Sequence, residues 1–357
     1  MPPLLDPAVR KVALVRPRVG LGDWICSLPA LRVLREARPD LHITAVTYPE
    51  MRPLLQRMAD LVDDLLPFPG HPGIPERPAD AAAWPAFVAA ARARRFDLAL
   101  QAYGDRPAAN DVAEALSAAR VGGFAPAGWA PARDTDLHLP YPVGLHEVGR
   151  HLRLLEHLGI PLPPDADRMA FPVLTGERER FGDLAGRVGL EPGGYAVLHP
   201  GASAPTRRWP PGRFAQLGDA LAARGLRVVL GGVPAERPLT ARLHRLMAAP
   251  ALDLAGATSV GTYALLLADA AVVVSGDTGT AHLAAVTGTR SVTVFMAGDP
   301  VRWAHPGPRH RIARVAVGCN PCPHLECPLP GSRHLQCGSA LPVADVLAAI
   351  DAVLATG

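Results

Sequence analysis

The chain has 357 residues, of which 49% are hydrophobic and 19% charged, and its formal net charge is +3. This length exceeds what one hydrophobic core usually organises, so we expect two globular domains. The charge is too mild for a nucleic-acid-binding surface, and the sequence has no block of Lys and Arg interleaved with aromatic residues. We therefore exclude nucleic acid as a partner and retain anionic ligands.

Neither a targeting signal nor a membrane span is predicted. The first apolar run, at residues 12–15, is shorter than the core of a signal peptide. No segment reaches the roughly 18 uninterrupted apolar residues that a membrane span requires. Five cysteines, four of them in one tail segment, do not resemble a secreted disulfide framework. We expect a cytoplasmic protein, with peripheral contact at the inner face of the membrane as the one membrane association open to it.

The first half of the chain alternates strands and helices. Apolar and β-branched runs predict strands at 12–15, 43–46, 65–69 and 98–101, and helical spacing predicts helices at 25–37, 84–95 and 147–159. Such alternation is typical of a parallel sheet with helices on both faces. A connector with four prolines, at 160–172, is interpreted as the domain boundary, so the domains are predicted at 1–165 and 173–357.

The same alternation restarts in the second half. Strands are predicted at 195–198, 226–230, 252–254, 271–274 and 292–295, and helices at 211–223, 237–247, 260–268 and 280–286. A terminal helix at 343–355 could pack on either domain. The sequence therefore predicts an α/β protein of two doubly wound, Rossmann-like domains, with a ligand cleft between them at the carboxyl ends of the strands.

A polar turn directly follows a predicted strand of the second half. It reads Ser-Gly-Asp-Thr-Gly-Thr-Ala-His at 275–282 and leads into a predicted helix. Gly276 and Gly279 permit a sharp turn and a close approach of the backbone to a ligand, and the first N–H groups of a helix attract phosphate. The turn suits a phosphate or pyrophosphate, although Asp277 and Thr278 could also act only as helix caps.

Two further loops of the second half, at 199–210 and 231–236, also follow predicted strands. The first carries Arg207 and Arg208, whose guanidinium groups suit phosphate oxygens. The second carries Glu236, a carboxylate past a strand end that can accept hydrogen bonds from both hydroxyls of a ribose. Each residue taken singly is also typical of a solvated loop or a first helical turn. Together with the polar turn, the loops favour a nucleoside diphosphate.

The first turn of the chain offers different chemistry. Residues 18–24 contain Gly20 and Gly22 without the G-x-G-x-x-G spacing, so a nicotinamide or flavin fingerprint is not supported. Asp23, between the first strand and helix, could take a proton from an acceptor hydroxyl as a general base. Alternatively, Asp23 caps the helix that begins near Trp24. Spacing alone leaves both roles open.

Three groups of motifs carry a resemblance to a known family. They are Gly20-Leu21-Gly22-Asp23 with Ser27-Leu28-Pro29-Ala30-Leu31, then His199-Pro200-Gly201-Ala202 with Arg207-Arg208-Trp209-Pro210, and then Asp277-Thr278-Gly279-Thr280-Ala281-His282-Leu283-Ala284. In their order and spacing they resemble glycosyltransferase family 9, the heptosyltransferases of lipopolysaccharide core synthesis and their relatives. The resemblance spans residues 11–303 and is to the family more than to any one member.

The resemblance implies a GT-B fold, with the acceptor on the first domain and a nucleotide-sugar donor, usually ADP-heptose, on the second. It makes Asp23 the general base of an inverting, single-displacement transfer. The family usually has a phosphate-binding lysine where this chain has Arg207. His282 is expected to pack rather than to react. The donor-binding residues that the resemblance implies are Ser203, Arg207, Arg208, Glu236, Asp277, Thr278, Gly279, Thr280 and His282, with backbone turns at Gly20, Gly22 and Gly201.

The tail departs from the family pattern. Cys319, Cys322, Cys327 and Cys337 form C-x2-C-x4-C-x9-C, with histidines among them. Four thiolates at short spacing suit a structural zinc or iron ion that staples a segment poor in apolar residues. The spacings fit no common zinc knuckle, so four reduced thiols or an adventitious disulfide remain alternatives.

The transfer itself is expected to require no cofactor, because no D-x-D pair lies on a predicted cleft loop. Magnesium can still accompany the donor diphosphate.

The acceptor is expected to be a glycolipid or glycan: lipid A core, another surface glycan and a protein hydroxyl are the candidates. Two alternatives stand beside the transferase. One is an epimerase or hydrolase of the same architecture that uses a UDP-sugar, and the other is a non-catalytic nucleotide-binding protein.

Overall fold

The computed structural model describes residues 3–305 and 307–356. The chain forms two compact units, Met1–Met169 and Ala170–Gly357, which divide inside the proline-rich segment 160–172. Each unit contains one six-stranded sheet. Among the described residues, none of the helices combines the length and the apolar character needed to cross a membrane.

The first unit is built on six parallel strands. They are β1 (Lys11–Val15), β2 (His42–Thr47), β3 (Asp64–Pro67), β4 (Leu98–Gln101), β5 (Arg120–Ala125) and β6 (His138–Pro140). The order in the sheet is β3-β2-β1-β4-β5-β6. The helices are α1 (Leu21–Ile25), α2 (Leu28–Ala37), α3 (Arg52–Arg57), α4 (Trp84–Arg94), α5 (Pro107–Ala115) and α6 (Glu147–His157).

Apolar side chains on both faces hold the first sheet in place, as a covered parallel sheet requires. Val12 and Val15 of β1 are fully buried. Tyr48 and Phe87 each pack edge to face on Phe68 within the same core. The sheet is therefore a firm base for the loops that follow its strands.

The helix predicted at 25–37 is wrong in one respect, because the structure has two helices, α1 and α2, that separate near Ser27. Pro29 has no N–H to donate to the carbonyl of Ile25, so a continuous helix would lack that bond. The Ser27 hydroxyl donates to the carbonyl of Asp23 at 3.0 Å. The early start of α1 places Asp23 inside a helical turn.

The second unit repeats the architecture. Its strands are β7 (Tyr195–His199), β8 (Arg227–Leu230), β9 (Ala251–Asp253), β10 (Val272–Gly276), β11 (Ser291–Val294) and β12 (His310–Ala313). They are all parallel, in the order β12-β11-β10-β7-β8-β9. The helices are α7 (Glu177–Val188), α8 (Pro211–Ala223), α9 (Arg237–Leu246), α10 (Val260–Ala268), α11 (Gly279–Val286), α12 (Pro300–Trp303), α13 (Gln336–Ser339) and α14 (Val343–Leu354).

The terminal helix α14, which the sequence left open to either domain, packs within the second unit. Val346, Ile350 and Val353 are fully buried and share one core cluster with Trp209 and Phe214. Helices and parallel sheets in both units confirm the predicted α/β class.

Some helices and strands were not predicted from the sequence, and their amino-acid composition explains why. Strand β5 carries Gly122 and Gly123, where a side chain would collide with Leu137 and Gln101, and glycine weakens a strand pattern. Strands β6 and β12 are short edge strands with polar residues. The elements that were not predicted are α3, α5, β5, β6, α7, α12, β12 and α13.

Candidate functional site

The strand order locates one ligand-binding edge in each unit. In the first sheet, β1 lies between β2 and β4, and in the second sheet β7 lies between β8 and β10. At β1 and at β7 the strand order reverses, so the chain leaves these strands toward opposite sides of the sheet. Open α/β sheets bind ligands at such a reversal, beside the carboxyl ends of the strands. The loops after β1 and β4, and those after β7 and β10, are therefore the candidate sites.

Asp23 lies in the loop region after β1, as the third residue of α1. The N-cap of that helix is Gly20, and it has an extended backbone. The capping role for Asp23 is therefore wrong. The Asp23 carboxylate lies directly over Gly20, where a methyl group would collide with Oδ2. About a fifth of its side chain is exposed, so the carboxylate is held in place and still accessible.

Arg18 is the cationic neighbour of Asp23. Its Nε lies 3.6 Å from Asp23 Oδ1, and its Nη1 donates to Glu76 Oε1 at 2.8 Å. The guanidinium also lies over the Tyr103 ring, 3.9 Å from the ring centre. Burial works to lower the pKa of Arg18, but Asp23, Tyr103 and Glu76 outweigh burial and raise it. Arg18 is therefore a permanent cation beside the Asp23 carboxylate.

A fully buried arginine, Arg16, is hydrogen-bonded to the same loop after β1. Arg16 donates to the carbonyls of Ala102 and Asp23, at 2.6 Å each, and lies 3.5 Å from Glu147 Oε1. Burial lowers the pKa of Arg16, and the charges of Glu147 and Asp23 oppose that effect. Glu147 also pairs with Arg150. This buried ion pair fixes the backbone at Asp23 between β1 and β4.

In the second unit, the polar turn after β10 carries Asp277, which is 5% exposed. The carboxylate lies directly over Gly298, where a methyl group would collide with Oδ2. Arg207, on the loop after β7, approaches Oδ2 to 3.9 Å with its Nη1. The structure thus brings two predicted donor-binding residues together from loops that are 70 positions apart.

Helix α11 begins immediately after this turn. Thr278 is its N-cap, and Gly279 and Thr280 form its first turn. The hydroxyl of Thr278 is buried, and it has no hydrogen-bond partner among the described residues. An unpartnered hydroxyl beside the N–H groups of a helix start is suited to receive an anionic oxygen.

Glu236 follows β8 and lies over the turn after β7. A methyl group on Gly201 would collide with the Glu236 carboxylate. Glu236 Oε2 accepts from the N–H of Val233 at 2.9 Å and lies 3.7 Å from His199 Nε2. Burial lowers the pKa of His199, although the charge of Glu236 opposes this. Glu236 thus has a fixed position at the carboxyl ends of the strands.

A tyrosine connects this position to the helix start. The hydroxyl of Tyr263 lies 3.4 Å from both His199 Nδ1 and Thr280 Oγ1. Burial raises the pKa of Tyr263, so its phenol stays protonated. Sequence patterns did not single out Tyr263, because it lies in the middle of an apolar helix without a motif around it.

Two predicted donor-binding residues lie elsewhere on the loop after β7. Arg208 donates twice to the carbonyl of Ala202, from Nε at 2.9 Å and from Nη2 at 2.7 Å. Its guanidinium therefore stabilises the loop to which Arg208 itself belongs. Ser203 is exposed at the turn. The structure does not bring either side chain to Asp277.

His282 lies one turn into α11 and is 3% exposed. Its Nδ1 lies 2.7 Å from His305 Nε2, and its ring packs edge to face on Trp303. These contacts pack the ring inside the second unit, and its role in donor binding stays a prediction.

The four tail cysteines form no disulfide. Burial raises the pKa of Cys337, and the neighbouring Cys319 and Cys327 add to the rise. The four sulfur atoms are not gathered within 4.8 Å of one another as a ready-made ligand set. The segment therefore does not show an assembled tetrahedral metal site.

Comparison with known proteins identifies related sequences. The profile described as glycosyltransferase family 9 (heptosyltransferase) matches residues 87–332, which is more than half of the chain. Lipopolysaccharide heptosyltransferase 3 of Escherichia coli is 26% identical over 344 residues, and the match covers 93% of this chain and 96% of that protein. These findings confirm the resemblance seen in the motifs.

Solved structures share the fold. The E. coli ADP-heptose lipopolysaccharide heptosyltransferase II matches with a TM-score of 0.69 and 20% identity, over 97% of this chain and 99% of that one. The dodecameric iron-containing heptosyltransferase TibC, from enterotoxigenic E. coli, was solved with ADP-D-beta-D-heptose. It matches with a TM-score of 0.56 and 15% identity, over 97% of this chain and 77% of that one. The predicted GT-B architecture is confirmed.

Proposed function

The chain belongs to glycosyltransferase family 9, and on that premise we propose that it moves heptose from ADP-heptose to a hydroxyl of a lipopolysaccharide core or another surface glycan. As a member of the family it is a glycosyltransferase. The names of its relatives support the sugar and the acceptor class. The ligand of the TibC complex supports the nucleotide.

The observation that carries the proposal is the convergence of donor-binding chemistry after β7, β8 and β10. Arg207 approaches Asp277 beside the start of α11. The buried hydroxyl of Thr278 lies at the same helix start. Glu236 is held over Gly201 at the neighbouring strand end. A cation, a helix N-terminus and a hydroxyl suit a diphosphate, and a carboxylate suits the hydroxyls of a ribose.

The reaction follows from these groups. Asp23 accepts the proton of the acceptor hydroxyl, and the acceptor oxygen forms a bond to the anomeric carbon of the donor. The bond from that carbon to the distal phosphate oxygen breaks, ADP leaves with the electron pair, and the configuration at the carbon inverts. Arg207 and the N-terminus of α11 stabilise the charge that develops on the leaving diphosphate. We assign no step to a cofactor.

Arg18 and Arg16 prepare Asp23 for this role. Arg18 places a fixed positive charge 3.6 Å from Asp23 Oδ1 and so helps to hold the carboxylate in position. Arg16 holds the carbonyl of Asp23 and thereby the direction of its side chain. The Gly20 N-cap leaves room for the carboxylate.

The proposal is tested by calorimetric titration of the purified protein with ADP, UDP and GDP. The variants Glu236→Ala and Asp277→Ala are expected to lose ADP binding. The matched control is Asp351→Ala. It removes an exposed carboxylate of α14 that pairs with Arg224. Selective binding of ADP that the control retains supports an ADP-sugar transferase. Preference for UDP or GDP overturns the choice of donor, and no binding of any nucleotide overturns the proposal.

A second proposal concerns the tail cysteines, which we propose to hold a structural zinc or iron ion after a local rearrangement. Four thiols within 19 residues provide a full tetrahedral donor set. Burial, together with the nearby Cys319 and Cys327, raises the pKa of Cys337, and the relative TibC contains iron. The same unpaired thiols favour a reducing cytoplasm as the location of the protein.

Metal analysis of the protein, purified without added metal under anaerobic conditions, tests this proposal. We expect about one equivalent of zinc or iron per chain, as for a structural site with four cysteine ligands, and its loss in Cys319→Ser/Cys322→Ser. The variant Asp351→Ala, which leaves every cysteine in place and removes an exposed carboxylate, is expected to retain the metal. A metal content near zero in the unmodified protein overturns this proposal without affecting the donor assignment.

A further inference from the structure

Thr206 occupies a special position between the predicted donor-binding loop and the tail. It is the middle residue of the short 3-10 turn Pro205–Arg207. It is 4% exposed, whereas its neighbour Pro205 is exposed and Arg207 is half-buried. The family motifs quoted above do not include Thr206. Its burial at the tip of a polar loop therefore needs a reason.

The reason is a set of hydrogen bonds to the cysteine-rich segment, residues 319–337. The Thr206 hydroxyl lies 2.8 Å from the carbonyl oxygen of His324 and 3.1 Å from that of Leu325, and it shares its proton between them. The backbone N–H of Thr206 donates to the carbonyl of Leu325 at 3.4 Å. The side chain of Leu325 is 68% exposed, so the contact is made through the backbone and does not depend on apolar packing.

The cysteine-rich segment is itself attached to the other side of the Asp277 site. The N–H of Cys322 donates to the carbonyl of Ala297 at 2.8 Å. The side-chain amide of Asn320 donates to the carbonyls of Met296 and Val315, at 3.3 and 2.9 Å. The loop that carries Met296 and Ala297 continues into Gly298, on which the Asp277 carboxylate rests. The segment therefore connects the loop of Arg207 to the loop beneath Asp277.

The backbone of the Arg207 turn fits closely against the Asp277 turn. A methyl group on Gly276 would lie 3.0 Å from the carbonyl oxygen of Arg207. The side chain of Arg207 is 37% exposed, and its Nη1 lies 3.9 Å from Asp277 Oδ2. This separation is too long for a direct hydrogen bond, so the pair does not hold the turn in place by itself. The bonds of Thr206 to the segment supply the constraint.

We propose that Thr206 is a positioning residue for donor binding, because it attaches the Arg207 turn to the cysteine-rich segment and so holds the Arg207 guanidinium beside Asp277. This inference rests on the proposed function, in which Arg207 binds the donor diphosphate. It extends that function to the tail, which becomes a support for the donor site.

The decisive variant is Thr206→Val, which keeps the shape of the side chain and removes the hydroxyl. The carbonyl of His324 then loses its donor from Thr206, and the carbonyl of Leu325 keeps only the backbone N–H of Thr206. We expect the Kd for ADP and the KM for the donor to rise about tenfold. The KM for the acceptor is expected to change less than about twofold, since Thr206 belongs to the second unit only. Thr206→Ser, which retains the hydroxyl, is expected to bind ADP like the unmodified protein.

The matched control is Thr289→Val. Thr289 is also a buried threonine, and its hydroxyl donates to the carbonyl of Leu267 at 3.0 Å, away from the carboxyl ends of the strands. We expect its variant to lower thermal stability without changing the Kd for ADP. Thr206→Ala, which removes the hydroxyl and leaves a small gap, serves as a second variant if the valine variant unfolds.

A double-mutant cycle separates positioning from general destabilisation. If Thr206 acts through Arg207, then Thr206→Val adds less than about twofold to the Kd in an Arg207→Ala background. An equal tenfold effect in that background overturns the inference, and so does unchanged ADP binding by Thr206→Val. Failure of the unmodified protein to bind ADP overturns the proposed function and this inference with it.

Discussion

The two units share one strand order, and each places a carboxylate over a glycine at the carboxyl ends of its strands, but the surroundings of those carboxylates differ. Asp23 has the permanent cation Arg18 beside it, and Glu76 binds that cation from its other side. Asp277 has the partly exposed Arg207 and a helix start beside it. In the first unit, the arginine is already engaged by the carboxylates of Asp23 and Glu76. In the second unit, an arginine and N–H groups are positioned for an anion.

The largest expected effect tests the first half of this comparison. Asp23→Asn keeps the shape of the side chain and removes the base, so we expect kcat to fall about 10²- to 10⁴-fold. Because Asp23 is not one of the proposed donor-binding groups, the Kd for ADP is expected to stay unchanged. Steady-state kinetics with ADP-heptose and glycan acceptor, together with calorimetry, measure the two quantities. A fall in ADP affinity of the same size would contradict the division of roles.

The next effect concerns the buried ion pair under Asp23. Glu147→Ala leaves the fully buried Arg16 without its carboxylate, so we expect the free energy of unfolding of the first unit to fall by about 3–5 kcal/mol. Denaturant unfolding followed by fluorescence measures this loss. The matched control on the same helix is Glu156→Ala, which removes a half-exposed carboxylate paired with Arg153. It is expected to change stability by less than about 1 kcal/mol, and equal losses in both variants would refute the role of burial.

A pair of glycine variants separates the two units directly. Gly201→Ala puts a methyl group into the Glu236 carboxylate, and Gly20→Ala puts one into the Asp23 carboxylate. We expect Gly201→Ala to raise the Kd for ADP about tenfold, because it displaces the Glu236 carboxylate. We expect Gly20→Ala to lower kcat about tenfold, because it displaces the Asp23 carboxylate.

The control for this pair is Gly212→Ala in helix α8, where a methyl group meets nothing within 4 Å. It is expected to bind ADP and turn over like the unmodified protein. If both glycine variants change the same parameter, then the carboxylates do not have separate roles.

The smallest expected effect concerns Arg207, which stands where the family usually has a lysine. Arg207→Lys restores the residue that the family usually has and keeps the positive charge. We expect the Kd for ADP to change by less than about threefold, whereas Arg207→Ala is expected to raise it about tenfold or more. Titration of both variants sharpens the comparison, since a large loss in the lysine variant would show that the fork geometry of arginine matters here.

The turns that carry the candidate site could be predicted from the sequence because their chemistry is local. The octet around Asp277 contains its own glycines and helix start, and Asp23 follows the first strand within a short glycine turn. The role of Arg18 was not readable, because its carboxylate partner Glu76 lies in a proline-rich loop 58 positions away. Nor was that of Tyr263, because nothing in its own helix marks it as a neighbour of His199.

The sequence by itself determined the α/β class and the family, and it predicted two doubly wound halves and most of the candidate site residues. These depend on patterns within about 20 residues of chain: hydrophobic period, turn glycines and helix starts. Only the tertiary structure decided that Arg207 meets Asp277, that Arg208 braces its own loop, and that Thr206 joins the cysteine-rich segment. Such contacts depend on strand order and on loop paths that bring distant positions together. No local propensity encodes them.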